Sequence, residues 1–259
     1  MINKVDTKKY FEIAETISDK VGDYLIGEFG DKKEIKRKEG NHFGINEDLV
    51  ANSMYEDFLK AKTPDIGLYT EEGERNLENS LTWVIDPIEG TSNYSVGNPL
   101  FATQIGLLYN NEPLVSVVNA PALKQKFTAR LDGGTFLNGK SVHPTPIDRI
   151  ELALVDMGRG RTDRDKDWFC DVLSKISKKV RTTRSYGSTG LGICFAAAGI
   201  TDIYINSGSQ IYDYLPGSLI VREAGGVVLN LEGEVWKAGD SGFLATNKKL
   251  IDEVFKIIV

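Results

Sequence analysis

The chain of 259 residues carries 37 acidic and 31 basic side chains, a formal charge of −6, with 41% hydrophobic and 26% charged residues. That balance fits an ordinary globular protein and argues against a nucleic-acid partner, which selects a basic face. It leaves anionic substrates open, because a local cluster or a bound cation overrides net charge. Two cysteines, Cys170 and Cys194, cannot build a disulfide framework, MINKVDTKKY has no apolar signal region, and LGICFAAAGI is too short to span a bilayer. A soluble, cytoplasmic protein with no membrane partner is expected.

From Thr7 to Phe29, apolar Phe11, Ala14, Ile17, Val21 and Leu25 recur at helical spacing, and Gly30 is the expected stop. KKEIKRKEGN reads as a charged loop. A second helix is expected from Asn46, with Glu47 and Asp48 in its first turn and Leu49, Met54 and Phe58 buried. Strands follow at 66–70, 81–86, 101–109, 113–120 and 124–130, joined by turns at NNEP and DGG. Short connections imply a largely antiparallel sheet. The second half alternates: strand 151–156, helix 167–178, VRTTR, helix 188–198, strand 202–206, a helix through Tyr214 to Glu223, GGVVLN, GFLAT and a C-terminal helix. The expected division is residues 1–148, with the antiparallel sheet, and 149–259, an α/β half, packed as one compact unit. The loop GRGRTDRDKD (158–167) is the candidate boundary between the halves.

The chemistry concentrates in LTWVIDPIEGTSNY. A buried strand delivers Asp86 at its C-terminal end, Pro87 removes a ladder donor, and Gly90 allows a sharp turn. The amides of Gly90, Thr91 and Ser92 would then converge on an anion, typically phosphate. Two carboxylates beside a phosphate repel it unless cations lie between, so the arrangement implies divalent metal, most naturally Mg²⁺. A nucleophilic aspartate is excluded, because the second acid of such phosphatases lies two positions on, where this chain has Ile88. The competing reading is a strand-to-turn punctuation with solvated acids.

WVIDPIEGTSNY resembles the signature WxIDPxDGTxNF of the inositol monophosphatase family of Mg²⁺-dependent phosphomonoesterases, which includes fructose-1,6-bisphosphatases and 3′-phosphonucleotide phosphatases. The resemblance runs over nearly the whole chain. TEEG (70–73) is similar to the family's GEE segment and points to Glu71; INEDLVAN (45–52) places its upstream acid on Asp48. IYDYLPGSLIVREAGG (211–226) resembles WDxAAGxxIvxEAGG and gives Asp213, while GTFLNGKSVH and TRSYGSTGLGIC match two further segments. Four features depart: Glu89 for Asp, Tyr212 for Trp, Leu215-Pro216 for a small pair, and Asn52 for Glu. Asn206 stands where inositol-specific members carry an acid.

The resemblance implies a layered αβαβα sandwich and hydrolysis without a covalent intermediate. It places the metal ligands on Glu71, Asp86, the Ile88 carbonyl, Glu89 and Asp213, for two or three Mg²⁺ ions. It gives Glu71, Thr91 and Asp48 the catalytic handling of water, Gly90, Thr91 and Ser92 the phosphate, and Arg184, Gly187, Ser188 and Asn206 the rest of the substrate. The expected substrate is a small phosphorylated polyol or sugar: inositol 1-phosphate first, fructose 1,6-bisphosphate second, a 3′-phosphonucleotide third. A metal- or ligand-binding regulator without turnover is the alternative from another class. A homodimer is implied, with helix 188–198 as a contributor. His42 and His143 are expected at the surface, Cys170 and Cys194 in packing, and Lys36–Lys38 in a solvated run from which Arg37 could reach the site.

Overall fold

The computed structural model describes residues 5–30, 32–37 and 43–258. Helix α1 (Thr7–Gly27) opens on Asp6, whose carboxylate accepts the Lys9 amide at 3.0 Å, and buries Ala14, Ile17, Val21 and Leu25. A short hairpin, β1 (Lys36–Arg37) and β2 (Phe43–Gly44), precedes α2 (Asn46–Lys62). His42, Lys38 and the side chain of Arg37 lie outside the described residues. In α2 the buried residues are Asp48, Ala51, Asn52, Tyr55 and Leu59, whereas Leu49 is 52% exposed and Met54 and Phe58 are only partly covered. The expected apolar face was wrong. Successive residues turn by about 100° around a helix, and the face turned inward is the one that carries Asp48.

A seven-stranded sheet follows in the order β3 (Gly67–Thr70), β4 (Leu81–Glu89), β5 (Ala102–Tyr109), β6 (Glu112–Ala120), β7 (Gln125–Arg130), β8 (Gly134–Leu137) and β9 (Lys140–Ser141). The β3–β4 pair is parallel and every other pair antiparallel. Asn110 and Asn111, both at positive φ, form the tight turn between β5 and β6. Helices α1 and α2 cover one face of this sheet, burying Trp83, Ile85, Val115 and Val117. The five-residue helix α3 (Thr91–Ser95) caps the end of β4.

The second sheet has the order β11 (Thr182–Arg184), β10 (Leu154–Gly158), β12 (Ile203–Asn206), β14 (Phe243–Thr246) and β13 (Val227–Leu229); β10, β11 and β12 are parallel, β13 and β14 antiparallel. Residues 150–152 form a 3-10 turn rather than the start of a strand. α4 (Asp163–Ile176) begins four residues earlier than expected, because Thr162 and Asp165 make a reciprocal capping box at its start. α4 and α7 (Ile251–Ile258) pack outside this sheet on Val155, Met157, Ile203, Ile205 and Leu244. α5 (Thr189–Ala197) and α6 (Ile211–Glu223) lie between the sheets and share one core with Val84, Val118, Phe127, Tyr204 and Phe243. The order helix, sheet, helix, sheet, helix is the expected αβαβα sandwich. From Gly190 to Ala197, α5 is buried throughout, so it has no face left for a second copy of the chain. Cys194 is buried as expected; Cys170, on α4, is exposed instead, since α4 buries only Val172 and Ile176.

Candidate active site

Strand β4 does not stop at Pro87. Asp86 pairs with Gln104 and Glu89 with Ala102, so three steps on β4 oppose two on β5. This bulge takes up the residue that cannot donate to the ladder. In a regular strand, residues three apart face opposite sides. The extra residue returns Glu89 to the face of Asp86, which points toward the middle helices, and leaves Ile88 buried on the α1/α2 side. Glu71 follows β3, which runs parallel to β4; its amide donates to the Ile85 carbonyl at 3.2 Å, so Glu71 and Asp86 arrive together at the C-terminal ends of adjacent strands. Ligand sites favour that edge of parallel strands.

Asp213 comes from the first turn of α6, 127 residues after Asp86 by sequence number. Pro216 lies inside this helix and has no N–H for the Tyr212 carbonyl four residues back. Gln104, opposite Asp86 on β5, supplies the missing donor: its Nε2 lies 2.8 Å from the Tyr212 carbonyl and 3.4 Å from that of Asp213. Leu215 packs on Gly106 of the same strand, where a Cβ would come within 2.5 Å of its methyl carbon. Leu215-Pro216 therefore fits the helix to the sheet and leaves Asp213 in place. Asp213 accepts from the Gln210 amide at 2.7 Å, from Ser209 Oγ, and from Arg161 at 3.0 and 3.3 Å.

Ligand oxygens of Asp86, Glu89 and Asp213 lie within 4.8 Å of one another, all three residues being buried. Asp86 Oδ1 is buried with no hydrogen-bond partner. Burial and the neighbouring Glu71, Asp213 and Glu89 push the Asp86 carboxyl well above its usual range. Burial, then Asp213, raises Glu71 to about 8. Burial raises Glu89 to about 7 against the lowering effect of the Ser188 hydroxyl, with Asp213 adding to the rise. Convergent hard oxygens, an orphaned carboxylate oxygen and mutual repulsion fit a divalent cation.

Beyond Glu89 the chain turns at Gly90 with φ +86°, where a Cβ would sit 3.1 Å from the Leu100 carbonyl oxygen. The amides of Asn93 and Tyr94 turn back onto the Gly90 carbonyl, at 2.8 and 3.1 Å. Those of Gly90, Thr91 and Ser92 precede the first internal bond of α3, and these three residues line the cleft. Thr91 Oγ1 donates to the Ile88 carbonyl at 2.9 Å and lies 3.4 Å from Asp48 Oδ1; the other Asp48 oxygen accepts the Ile45 amide at 2.8 Å. Glu71, Asp86, Glu89, Asp213 and the Gly90–Ser92 turn line a cleft of about 1030 Å³.

The inositol monophosphatase family model matches residues 6–258. The chain belongs to the inositol monophosphatase family. It is 33% identical over 242 residues to the probable inositol 1-monophosphatase ImpA of Mycobacterium tuberculosis, covering 91% of this chain and 88% of that protein. It is 30% identical over 240 residues to the fructose-1,6-bisphosphatase/inositol-1-monophosphatase of Thermotoga maritima, covering 92% and 91%. The solved Thermotoga maritima inositol monophosphatase (IMPase) superposes with a TM-score of 0.89 at 28% identity, over 97% of this chain and 96% of that one. This member of the family is thus a phosphoric monoester hydrolase of the inositol-1-monophosphatase type.

Other expected residues of this inositol monophosphatase family member are placed differently. Arg184 ends the edge strand β11, is exposed, and donates to Thr182 Oγ1 and the Thr183 carbonyl; it is not among the residues lining the cleft. Gly187 and Ser188 line the cleft, but the Ser188 hydroxyl is committed to Glu89 Oε2, and the Thr189 amide donates to Oε1 at 2.6 Å. Asn206 also lines it, with its amide spent on Tyr204 Oη at 3.2 Å and on the Gly208 amide at 3.1 Å. His143 is exposed, as expected. The basic wall is Arg159, Arg161 and Lys166, from the loop after β10 and the start of α4. Sequence reasoning assigned that loop to a boundary. Its usable signal was three cations beside a Thr-x-x-Asp cap, directly after a strand end. Asp48, Glu71, Asp86, Glu89, Thr91 and Asp213 are otherwise brought to one place.

Asp156 was also missed. It points from β10 into the middle layer, accepts the Tyr186 amide at 3.1 Å and lines the cleft. Burial raises it to about 7 against those backbone bonds. A carboxyl raised on folding contributes stability that is full below its unfolded value and lost as pH rises through about 7. Relative to Asp156→Asn, the wild type should therefore lose up to about 4 kcal/mol between pH 4 and 7. Denaturant unfolding of both chains across that range checks it; parallel profiles would contradict it.

Proposed function

We propose that this protein is a Mg²⁺-dependent phosphomonoesterase for small phosphorylated polyols and sugars, hydrolysing both inositol 1-phosphate and fructose 1,6-bisphosphate. The observation that carries the reading is the convergence of Asp86, Glu89 and Asp213, with an orphaned oxygen on Asp86, beside the turn at Gly90 that opens α3. Glu71, Asp86, the Ile88 carbonyl, Glu89 and Asp213 would hold the cations. When bound, Mg²⁺ supplies charge neutralisation and a more acidic water near neutrality. The Gly90, Thr91 and Ser92 amides hold the phosphate oxygens. Thr91, tied to Asp48 and the Ile88 carbonyl, orients the attacking water, and Glu71, beside Asp86 at the strand ends, takes its proton. No nucleophilic side chain is required.

Arg159 and Lys166 take over the role expected of Arg184, pairing with a second phosphate at the far wall. The test is phosphate release from inositol 1-phosphate, fructose 1,6-bisphosphate and a 3′-phosphonucleotide, with and without Mg²⁺. Both of the first two should turn over, with Mg²⁺ required. Arg159→Ala should lower kcat/KM on the bisphosphate about tenfold, as the loss of one charge-assisted contact does, and on the monophosphate less than about threefold. Equal losses would remove the basic wall as the discriminator.

A further inference from the structure

Arg161 lies in an acidic site as a cation tethered by the chain itself. Its Nη2 is 3.0 and 3.3 Å from the two oxygens of Asp213, and its Nη1 is 3.2 Å from Tyr212 Oη. The guanidinium carbon sits 5.6 Å from the centre of the Tyr212 ring. Asp213 is the only one of the three converging acids that an arginine or lysine side chain reaches among the described salt bridges. A phenolic oxygen can accept from a guanidinium, whereas an indole N–H can only donate. Tyr212, which replaces the tryptophan of the family signature, therefore gives Arg161 an acceptor beside Asp213 that an indole would not offer.

The backbone under Arg161 is fixed independently. The Arg161 and Thr162 amides donate to Asp165 Oδ2 at 3.1 and 2.8 Å, which ties the loop to the start of α4. The side chain is 28% exposed and opens on the cleft. It can leave Asp213 by side-chain rotation, with no change in the loop that carries it.

We infer that Arg161 is a resident counter-cation that competes with a divalent cation for Asp213, and that Tyr212 sets the strength of this competition. The inference rests on the metal-site reading above. Asp213 cannot hold a cation at full strength while its oxygens serve the guanidinium, so the occupancy of this half of the site depends on displacing Arg161. Arg161 is a positioning residue here: it acts through Asp213.

The test counts Mn²⁺ bound to the full chain by electron paramagnetic resonance of the free ion, taking the Asp213 site as the bound Mn²⁺ that Asp213→Asn removes. Arg161→Gln should tighten that site about tenfold and lower the melting temperature of the metal-free protein, because the acids lose their counter-charge. Tyr212→Phe, which deletes the acceptor and keeps the ring, should tighten it about threefold. Arg161→Lys, a point charge without the planar fork, should fall between wild type and Arg161→Gln. A purely structural arginine would loosen the loop and weaken Mn²⁺ binding or leave it unchanged. That outcome, with Asp213→Asn still removing bound Mn²⁺, overturns the inference and leaves the metal site standing. If the wild type binds no Mn²⁺ and neither Asp86→Asn nor Asp213→Asn changes this, the metal-site reading falls and the inference with it. Should Arg161→Gln fail to fold, Tyr212→Phe and Arg161→Lys carry the same comparison.

Discussion

Asp86→Asn is expected to lower kcat by about 1000-fold or more at saturating Mg²⁺ while the metal-free protein becomes more stable. Asp86 is 2% exposed, one of its oxygens has no partner, and Glu71, Glu89 and Asp213 crowd it. An amide of the same shape leaves the packing intact but is a poor ligand for a hard cation. Losing the charge stabilisation that a metal supplies removes several kcal/mol from the barrier reduction, and each 1.36 kcal/mol is about tenfold in rate. The opposite sign for stability follows from burial. Without metal, a carboxylate here is a desolvated charge among like charges, and its neutral isostere removes that cost. Steady-state kinetics and thermal unfolding in chelator measure the two quantities. Retention of most of the wild-type rate would exclude Asp86 as a ligand. A less stable metal-free variant would show that Asp86 serves the fold rather than the cation.

Glu89→Asp should cost about 10- to 100-fold in kcat/KM, raise the Mg²⁺ needed for half-maximal rate, and destabilise the protein by about 1–3 kcal/mol, the worth of a charge-assisted hydrogen bond. The longer acid does two things at once. The bulge turns its side chain onto the face of Asp86, and its carboxylate reaches across to Ser188 Oγ and the Thr189 amide at the start of α5. An aspartate shortens the reach by about one carbon–carbon bond and loses the α5 contacts, while Mg²⁺ tolerates little departure from about 2.0–2.1 Å. Glu89→Gln separates the two roles, since it keeps the reach to α5 and loses the charge. It should retain most of the stability and little of the activity. Improved Mg²⁺ affinity in Glu89→Asp would mean that Glu89 holds its cation through water; no change in either quantity would leave Glu89 as a helix anchor only.

Much of the site is legible in the sequence because its parts are local. An apolar run reaching Asp86, a proline, and a glycine followed by small polar residues mark a strand running into a sharp turn within ten residues. The neighbouring acids announce the metal. The same local logic recovers α1, whose apolar residues repeat at helical spacing, and the tight Asn110-Asn111 turn. It fails where a local pattern permits two faces. Leu49 and Asp48 are adjacent in an amphipathic stretch, and which of them turns inward is decided by what α2 packs against.

Arg184 and Arg161 show the same division for charge. Arg184 is the last residue of one strand of the second sheet, and Arg161 lies in the loop just after another. Arg184, still within the edge strand β11, folds back onto Thr182 and the Thr183 carbonyl on the rim, whereas Arg161, in the loop beyond β10, lines the cleft. No property of either arginine distinguishes them. Their place relative to the strand end does.

What this sequence determined by itself is therefore the chemistry available: four acids suited to a hard cation, a sharp glycine turn beside them, and the periodicities of a layered α/β fold. What only the tertiary structure decided is how those groups meet. The face of Glu89 depends on a one-residue mismatch with β5, the placement of Asp213 on a glutamine that replaces the hydrogen bond lost at Pro216, and the partner of Asp213 on an arginine 52 positions away. These are contacts between segments distant along the chain. Their geometry comes from register and packing, which the pattern of any one segment does not contain.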